Sequence, residues 1–219
     1  MTQAPARKRG RPAKNKEIEP KKLLEHAFYM FASEGFDGTS LRKLAAEIGI
    51  DYTLYRHYFG SKEALWKASL EQELEPHICH LNTIIQKYQE EQNAQHTLRL
   101  SMHAFLTLAA TYPDKPRLLF REIGNAEREV WLYERFAEPL LSSFDTLFIA
   151  EQQAGRMRAQ NLESIHAMII GVVHMVVTPG IMATRMTPII NDKNKLKDYI
   201  NAAVDQLFDG LFYMGDCKK

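Results

Sequence analysis

Apolar residues along this chain recur mostly at spacings of three and four, and strictly alternating runs are scarce. That period marks amphipathic helices, so the pattern predicts an all-α protein. In 20–34, Leu23, Leu24, Ala27, Phe28 and Phe31 form one stripe, Pro20 suits a helix start and Gly35 stops it. Asp37-Gly38 makes a turn. Thr39 or Ser40 can cap a short helix at 40–47, because a hydroxyl accepts from the free N–H groups of a first turn. Gly49 ends that helix in the left-handed conformation. Asp51 can cap a third helix, 52–58, and Ser61 a fourth, with Glu63 in its first turn where a negative charge suits the dipole. Helices 40–47 and 52–58, joined by Gly49-Ile50-Asp51, have helix-turn-helix spacing.

The remainder reads as longer helices. One runs from 62 to about 91, with a break or bend at Pro76. The next, 94–111, carries Leu98, Met102, Phe105, Leu106 and Ala109 on one face. Pro113 and Pro116 open a short helix through Ile123. A long one spans 127–154, bent or broken near Pro139 and stopped by Gly155. The last two are 162–178 and 194–213. Ile165, Met168, Ile169, Val172, Val173, Val176 and Val177 share one side of the former, and Ile170 lies on another, which predicts burial on more than one face. Leu196, Tyr199, Ile200, Ala203, Val204, Leu207, Phe208 and Leu211 form a wide stripe on the latter. Two such helices can pair with a second copy in a four-helix core. The expected interface is Ile165, Ile169, Val172, Val176, Ile200, Val204, Leu207, Phe208 and Leu211 of a homodimer.

Composition allows a sizeable core, at 45% hydrophobic residues over 219. A net charge of +1 conceals an asymmetry. Arg7, Lys8, Arg9, Arg11, Lys14 and Lys16 all precede the first acid, Glu17, which leaves 22 bases against 27 acids in the rest. A basic arm on a mildly acidic body points to a polyanion contacted at one end, the alternative being a solvated tail. The two cysteines make no disulfide framework and fit a reducing compartment. The basic N-terminus has no apolar segment of the secretory kind. The most apolar run, Ile165 to Val177, is too short for a bilayer and holds His166 and His174. A cytoplasmic protein with no membrane partner is expected.

The chemistry concentrates in 39–65. Leu41, Leu44, Ala45, Ile48 and Ile50 face inward in a two-helix hairpin, and Tyr52-Thr53-Leu54 is presented outward. Arg42, Lys43, Arg56, His57, Tyr58 and Lys62 crowd the same unit. A helix fits the major groove and reads base edges from its first turns, while basic and hydroxyl side chains hold phosphates. The alternative is a packed hairpin with a solvated basic face. Elsewhere, His77 and His80 could share a helix face beside Cys79, but zinc needs three or four convergent ligands and no partner cluster is visible. No metal is expected. Without a G-x-G-x-x-G, P-loop or G-x-S-x-G motif, neither a cofactor nor an enzyme is expected.

Phe31-Ala32-Ser33-Glu34-Gly35-Phe36, Thr39-Ser40-Leu41, Leu44-Ala45, Gly49-Ile50 and Tyr58-Phe59-Gly60-Ser61-Lys62-Glu63-Ala64-Leu65 together resemble the DNA-binding domain of the TetR family of bacterial transcription regulators. The resemblance covers 20–70. After the basic disordered arm at 1–19, which the charge distribution sets apart, it implies a helix-turn-helix domain at 20–66 and a helical ligand-binding and dimerisation domain at 67–219. It implies a repressor released from a palindromic double-stranded operator by a small-molecule effector. The alternative is a ligand-independent activator or architectural DNA binder. Carried onto this sequence, it makes Arg42 a base contact and Tyr52, Thr53 and Leu54 the recognition positions. Thr39 or Ser40 and Lys62 become phosphate anchors, and Tyr58 stands where many members have a phosphate-contacting histidine. Two positions depart from the family. Arg56 replaces a phosphate-binding tyrosine, and Tyr55 replaces a buried Leu or Ile. A slipped register would make Tyr55 the phosphate ligand but cost Asp51 its capping position. In the ungapped register Arg56 holds a phosphate by charge, and the Tyr55 hydroxyl needs a polar outlet.

Arg9-Gly10-Arg11-Pro12 also resembles the AT-hook core, in which Arg-Gly-Arg lies in a narrow A·T-rich minor groove. The arm then becomes a second DNA contact over an A/T-rich flank, through Arg9 and Arg11. In the middle of the chain, the family's small-molecule pocket would draw on Met102, His103, Phe105, Tyr112, Phe120, Arg121, Trp131, Phe144, Met168 and His174. These favour an apolar or aromatic ligand, although the same set at helical spacing also describes ordinary core.

Overall fold

Glycines and prolines divide the helical pattern where the chain must turn. The computed structural model describes residues 18–89, 94–177, 185 and 192–213. Its helices are α1 Pro20–Gly38, α2 Leu41–Ile48, α3 Thr53–Phe59, α4 Lys62–Gln89, α5 Ala94–Thr111, α6 Asp114–Arg121 and α7 Ala126–Leu132. A π-helical turn, Tyr133–Ala137, leads into α8 Glu138–Gln153, followed by α9 Leu162–Val177 and α10 Lys193–Leu211. The all-α expectation holds. Among the described residues the one β feature is an isolated bridge between Met157 and Phe212.

Local chemistry explains the boundaries. Gly35 breaks α1 with φ at +79°, where the sequence places a stop, although helical residues resume as far as Gly38. Ser40 Oγ accepts from the Lys43 N–H and caps α2, and Gly49 ends it in the left-handed region. Asp51 Oδ1 accepts the Thr53 N–H at 2.8 Å, so α3 starts one residue later than the pattern suggests. Ser61 Oγ accepts from the Ala64 N–H at the start of α4. Pro76 lies inside α4 without ending it. Pro139 is the second residue of α8, directly after the π turn, and helical backbone leads into it through Ala137 and Glu138.

Two apolar clusters organise the chain. The first joins Leu23, Phe28, Phe31, Leu44, Tyr55, Leu65 and Trp66 of the N-terminal head to Leu118, Leu132 and Phe136 from α6 to the π turn. The second packs α5 against α8, α9 and α10 through Leu98, Met102, Phe144, Phe148, Ile165, Ile169, Val204 and Phe208. This second cluster corrects the expected pairing surface. Ile165, Ile169, Ile200, Val204, Phe208 and Leu211 are buried within the single chain, and Val172 and Leu207 pack against them. The stripes satisfy α5 and one another first, so they are not a free face. The side chain of Val176 lies outside the described residues. Ile170 is not buried on a second face either, and remains 42% exposed.

Candidate nucleic-acid interface and ligand cavity

Residues 1–17 are outside the described set, and Arg9 and Arg11 with them. The rest of the head can be read side chain by side chain. Tyr52, Thr53, Arg56, His57 and Tyr58 are exposed on α3 and its first turn, and Arg42 and Ser40 are exposed beside them on α2. The Arg42 guanidinium lies 5.3 Å from the centroid of the Tyr52 ring, so the two form one projecting unit. Thr53 donates its hydroxyl proton to Asp51 at 2.7 Å. Those bonds from Thr53 hold the Asp51 carboxyl below its usual pKa. Thr53 is left with a methyl group, which suits a thymine methyl, and acceptor lone pairs, which suit a base amino group.

Four sequence assignments change. Leu54 is half-buried against the head cluster and does not project with Tyr52 and Thr53. Thr39 is 2% exposed and donates to the Gly35 carbonyl at 2.8 Å, which leaves Ser40 as the accessible hydroxyl. Lys62 folds over the Phe36 ring at 4.2 Å, and burial lowers its pKa against the pull of Asp37. Lys43 is paired with Glu34.

Tyr55 decides the register. It is fully buried, while its neighbour Arg56 is exposed. Its hydroxyl is 3.0 Å from His26 Nδ1, and His26 Nε2 is 3.1 Å from Glu47 Oε2. An imidazole protonated at Nε2 donates to the carboxylate and accepts the phenol proton, so the three groups form a satisfied relay across α3, α1 and α2. Burial, and then Glu47, pushes the Tyr55 phenol well above its ordinary value. The polar outlet that the ungapped register requires is His26, which sequence separation hid.

Below the head lies a cavity of about 340 Å³. Leu74, Leu81, Met102, Phe136, Phe144 and Val173 form its buried wall, and Tyr112, Ile123, Tyr133 and Ile170 its exposed rim. Of the expected lining residues, Met102, Phe105, Tyr112, Phe120 and Phe144 are there. His103, Trp131, Met168 and His174 are not. His103 turns toward α10 and meets Asn201 Oδ1 at 2.6 Å. Trp131 packs on Trp66, with ring centroids 5.3 Å apart. Met168 is 44% exposed on the outer side of α9, and His174 stands edge-on to Phe120. Arg121 lies in a separate shallow hollow with His26, Glu47 and Arg117. His77, Lys115, Tyr133 and His166 line the cavity without having been singled out for it. Only His77 stood out in the sequence, through its place beside Cys79 and His80. Among the described residues no group of three or more His, Cys, Asp or Glu could hold a metal ion.

The segment from α6 to the π turn touches both sites. Leu119, Phe120, Ile123, Leu132 and Tyr133 line the cavity. Arg128, in the same segment, lies 4.2 Å over the Phe36 ring, donates to the nearly buried Glu122 at 2.5 Å and reaches Asp37 at 3.5 Å. Lys115 on α6 pairs with Glu73 on α4, and Arg117 donates to the last carbonyl of α9, on Val177.

Comparison with known proteins fits this geometry. Residues 23–68 match the family model described as bacterial regulatory proteins, tetR family. That match identifies the N-terminal head as similar to the DNA-binding domain of that family. Over 123 residues it is 29% identical to the HTH-type transcriptional regulator RutR of Escherichia coli K12. That stretch is 56% of this chain and 56% of the relative, so the likeness covers little more than half of either protein. The fold likeness extends further. The ketosteroid transcriptional regulator KstR2 of Mycobacterium tuberculosis superposes with a TM-score of 0.66 at 15% identity, over 93% of this chain and 100% of that one. FadR from Bacillus subtilis, solved with stearoyl-CoA, gives 0.66 at 18% identity, over 88% and 99%. The TetR-like head here thus continues into a helical body of the kind these regulators share. No helix among the described residues is long and apolar enough to cross a membrane.

Proposed function

We propose that this protein is a repressor of the TetR type that binds a palindromic DNA operator as a homodimer and is released by a small molecule. The observation that carries the ligand step is the double duty of the segment from α6 to the π turn. It supplies wall to the cavity and, through Leu118, Leu132, Phe136 and Arg128, core and clasp to the head. A molecule that moves this wall moves the head, and release requires only that it bind one head placement better than the other.

On the DNA side, Arg42, Tyr52 and Thr53 read base edges, and Ser40, Arg56, His57 and Tyr58 hold phosphates. Arg9 and Arg11 of the arm extend the contact into an A/T-rich minor groove. Lys62 serves as an anchor only after leaving Phe36. The head ends near residue 66, and the body from 67 onward carries the ligand and the partner. With the apolar stripes buried, a second copy pairs through the outer faces of α9 and α10, where Met168, Gly171 and Ala202 are exposed. Two-fold symmetry of the protein demands a matching symmetry in the operator.

The test is genome-wide recovery of bound fragments, followed by titration of the purified protein on the recovered duplex. Sedimentation equilibrium at micromolar concentration reads the dimer. A saturable, salt-dependent complex on a palindromic site is expected. Monomers that bind no recovered sequence better than random duplex refute the reading.

A further inference from the structure

The cavity is built to a narrower chemical specification than an apolar lining alone implies. Its buried wall is hydrocarbon and aromatic. Apart from His77 and the rim tyrosines, the charged or chargeable groups that border it are Lys115, Glu129 and His166, and each already makes a hydrogen bond. Lys115 Nζ is 2.9 Å from Glu73 Oε2 and 2.5 Å from the Glu73 carbonyl. Glu129 accepts the Gly124 N–H at 3.1 Å. His166 is 2.7 Å from Asp145. An anion arriving here would find Lys115 neutralised by Glu73, and an ammonium would find a single carboxylate, Glu129, that is exposed to solvent and already holds the Gly124 N–H. Either would leave water for a wall that cannot replace its hydration.

His77 differs. It lines the cavity from α4, its ring meets Tyr112 edge-on at 4.8 Å, and its buried Nδ1 makes no well-formed hydrogen bond, because the Glu73 carbonyl beside it is held by Lys115 Nζ at 2.5 Å. Burial first, and then Lys115, lowers its pKa, so near neutral pH the ring is an uncharged imidazole with one donor and one acceptor. At the rim, Tyr112, Ile123, Tyr133 and Ile170 leave apolar surface exposed around the entrance, as a path for a molecule that partitions out of water requires.

We propose that this cavity selects a neutral, predominantly apolar molecule with a single hydrogen-bonding group, which is met by the His77 imidazole, and discriminates against the carboxylate and ammonium forms of the same skeleton. This rests on the ligand-release reading, but its test does not involve DNA, so the two can fail separately.

Isothermal titration of the full-length protein with 1-decanol, decanoate and decylammonium, three probes of one chain length, decides the charge preference. Decanol is expected to bind at least about tenfold more tightly than either ion, which is about 1.4 kcal/mol. Decanoate or decylammonium binding as tightly as decanol overturns the proposal. His77→Phe keeps the wall apolar and tests the polar partner. It should weaken decanol several-fold while leaving decane binding unchanged, and equal losses for both would show His77 to be only a packing residue, against the proposal. Ile170→Trp, at a half-exposed rim position that tolerates bulk, should block decanol and decane alike. Undiminished binding there would place the probes elsewhere and refute the site. Failure of all three chains to bind the wild-type protein also refutes it. If decanol binds as described but never releases the operator, the chemical specification stands and the release reading falls.

Discussion

Replacing Tyr55 with Phe removes one oxygen atom and nothing else from the head. In the ungapped register that oxygen is structural. It sits at full burial, 3.0 Å from His26 Nδ1, and His26 is in turn held by Glu47. The ring stays, so the apolar packing in the head cluster is retained and the loss is that of one hydrogen bond. A net contribution of about 0.5–1.5 kcal/mol is the usual scale. The His26 side chain is 22% exposed, so water can reach it and satisfy the orphaned nitrogen, which keeps the expected loss at no more than the middle of that range, about 1 kcal/mol. For a chain of this length that lowers the melting temperature by about 2–4 °C. Tyr55→Ala, which also empties the ring's volume, should cost about 3–5 kcal/mol. Urea titration and thermal unfolding measure both, and a cycle with His26→Ala should recover a coupling of about 0.5–1 kcal/mol. Operator affinity and its salt dependence should be unchanged in Tyr55→Phe at temperatures where the variant is folded. A variant with wild-type stability and weakened DNA binding would mean that the hydroxyl meets a phosphate, and the register would have to be slipped by one.

Other consequences are as direct. Arg56→Ala should weaken binding to all sequences alike and reduce the slope of log affinity against log salt by about 1, measured by fluorescence anisotropy. Deleting residues 1–16 should weaken operator binding and flatten the same slope, since fewer counterions are released; an unchanged slope would return the arm to being a tail. Arg128→Ala strands Glu122, which is 4% exposed, and should lower stability by about 3 kcal/mol in urea unfolding, most of it restored when Glu122 is also made Gln. Gly49→Ala forces a Cβ into φ of +69° and should cost about 1 kcal/mol, although open space surrounds it.

How much was legible without coordinates depended on the range of the interactions concerned. The helices, the Ser40 and Ser61 caps, the left-handed Gly49 and the helix-turn-helix hairpin all follow from neighbours within about one helical turn, so local order was enough to specify them. The basic arm was equally plain as composition, because charge needs no fold to be counted. Periodicity also found which faces are apolar, but it could not say what covers them. Ile165, Val204 and Phe208 read as a surface for a second copy, yet α5 and α8 reach them first within one chain. The same blindness placed Trp131 and His103 in the cavity, since both lie on the right helices but turn to Trp66 and Asn201. Three findings belong to the tertiary structure alone. The Tyr55 outlet lies 29 residues back at His26. The clasp joins Phe36 to Arg128 across two helices. The cavity's character rests on pairs such as Lys115 with Glu73, 42 residues apart, which remove charges that composition counts as free. A side chain's chemistry is written in the sequence, but whether it remains available is settled by the partner that folding brings to it.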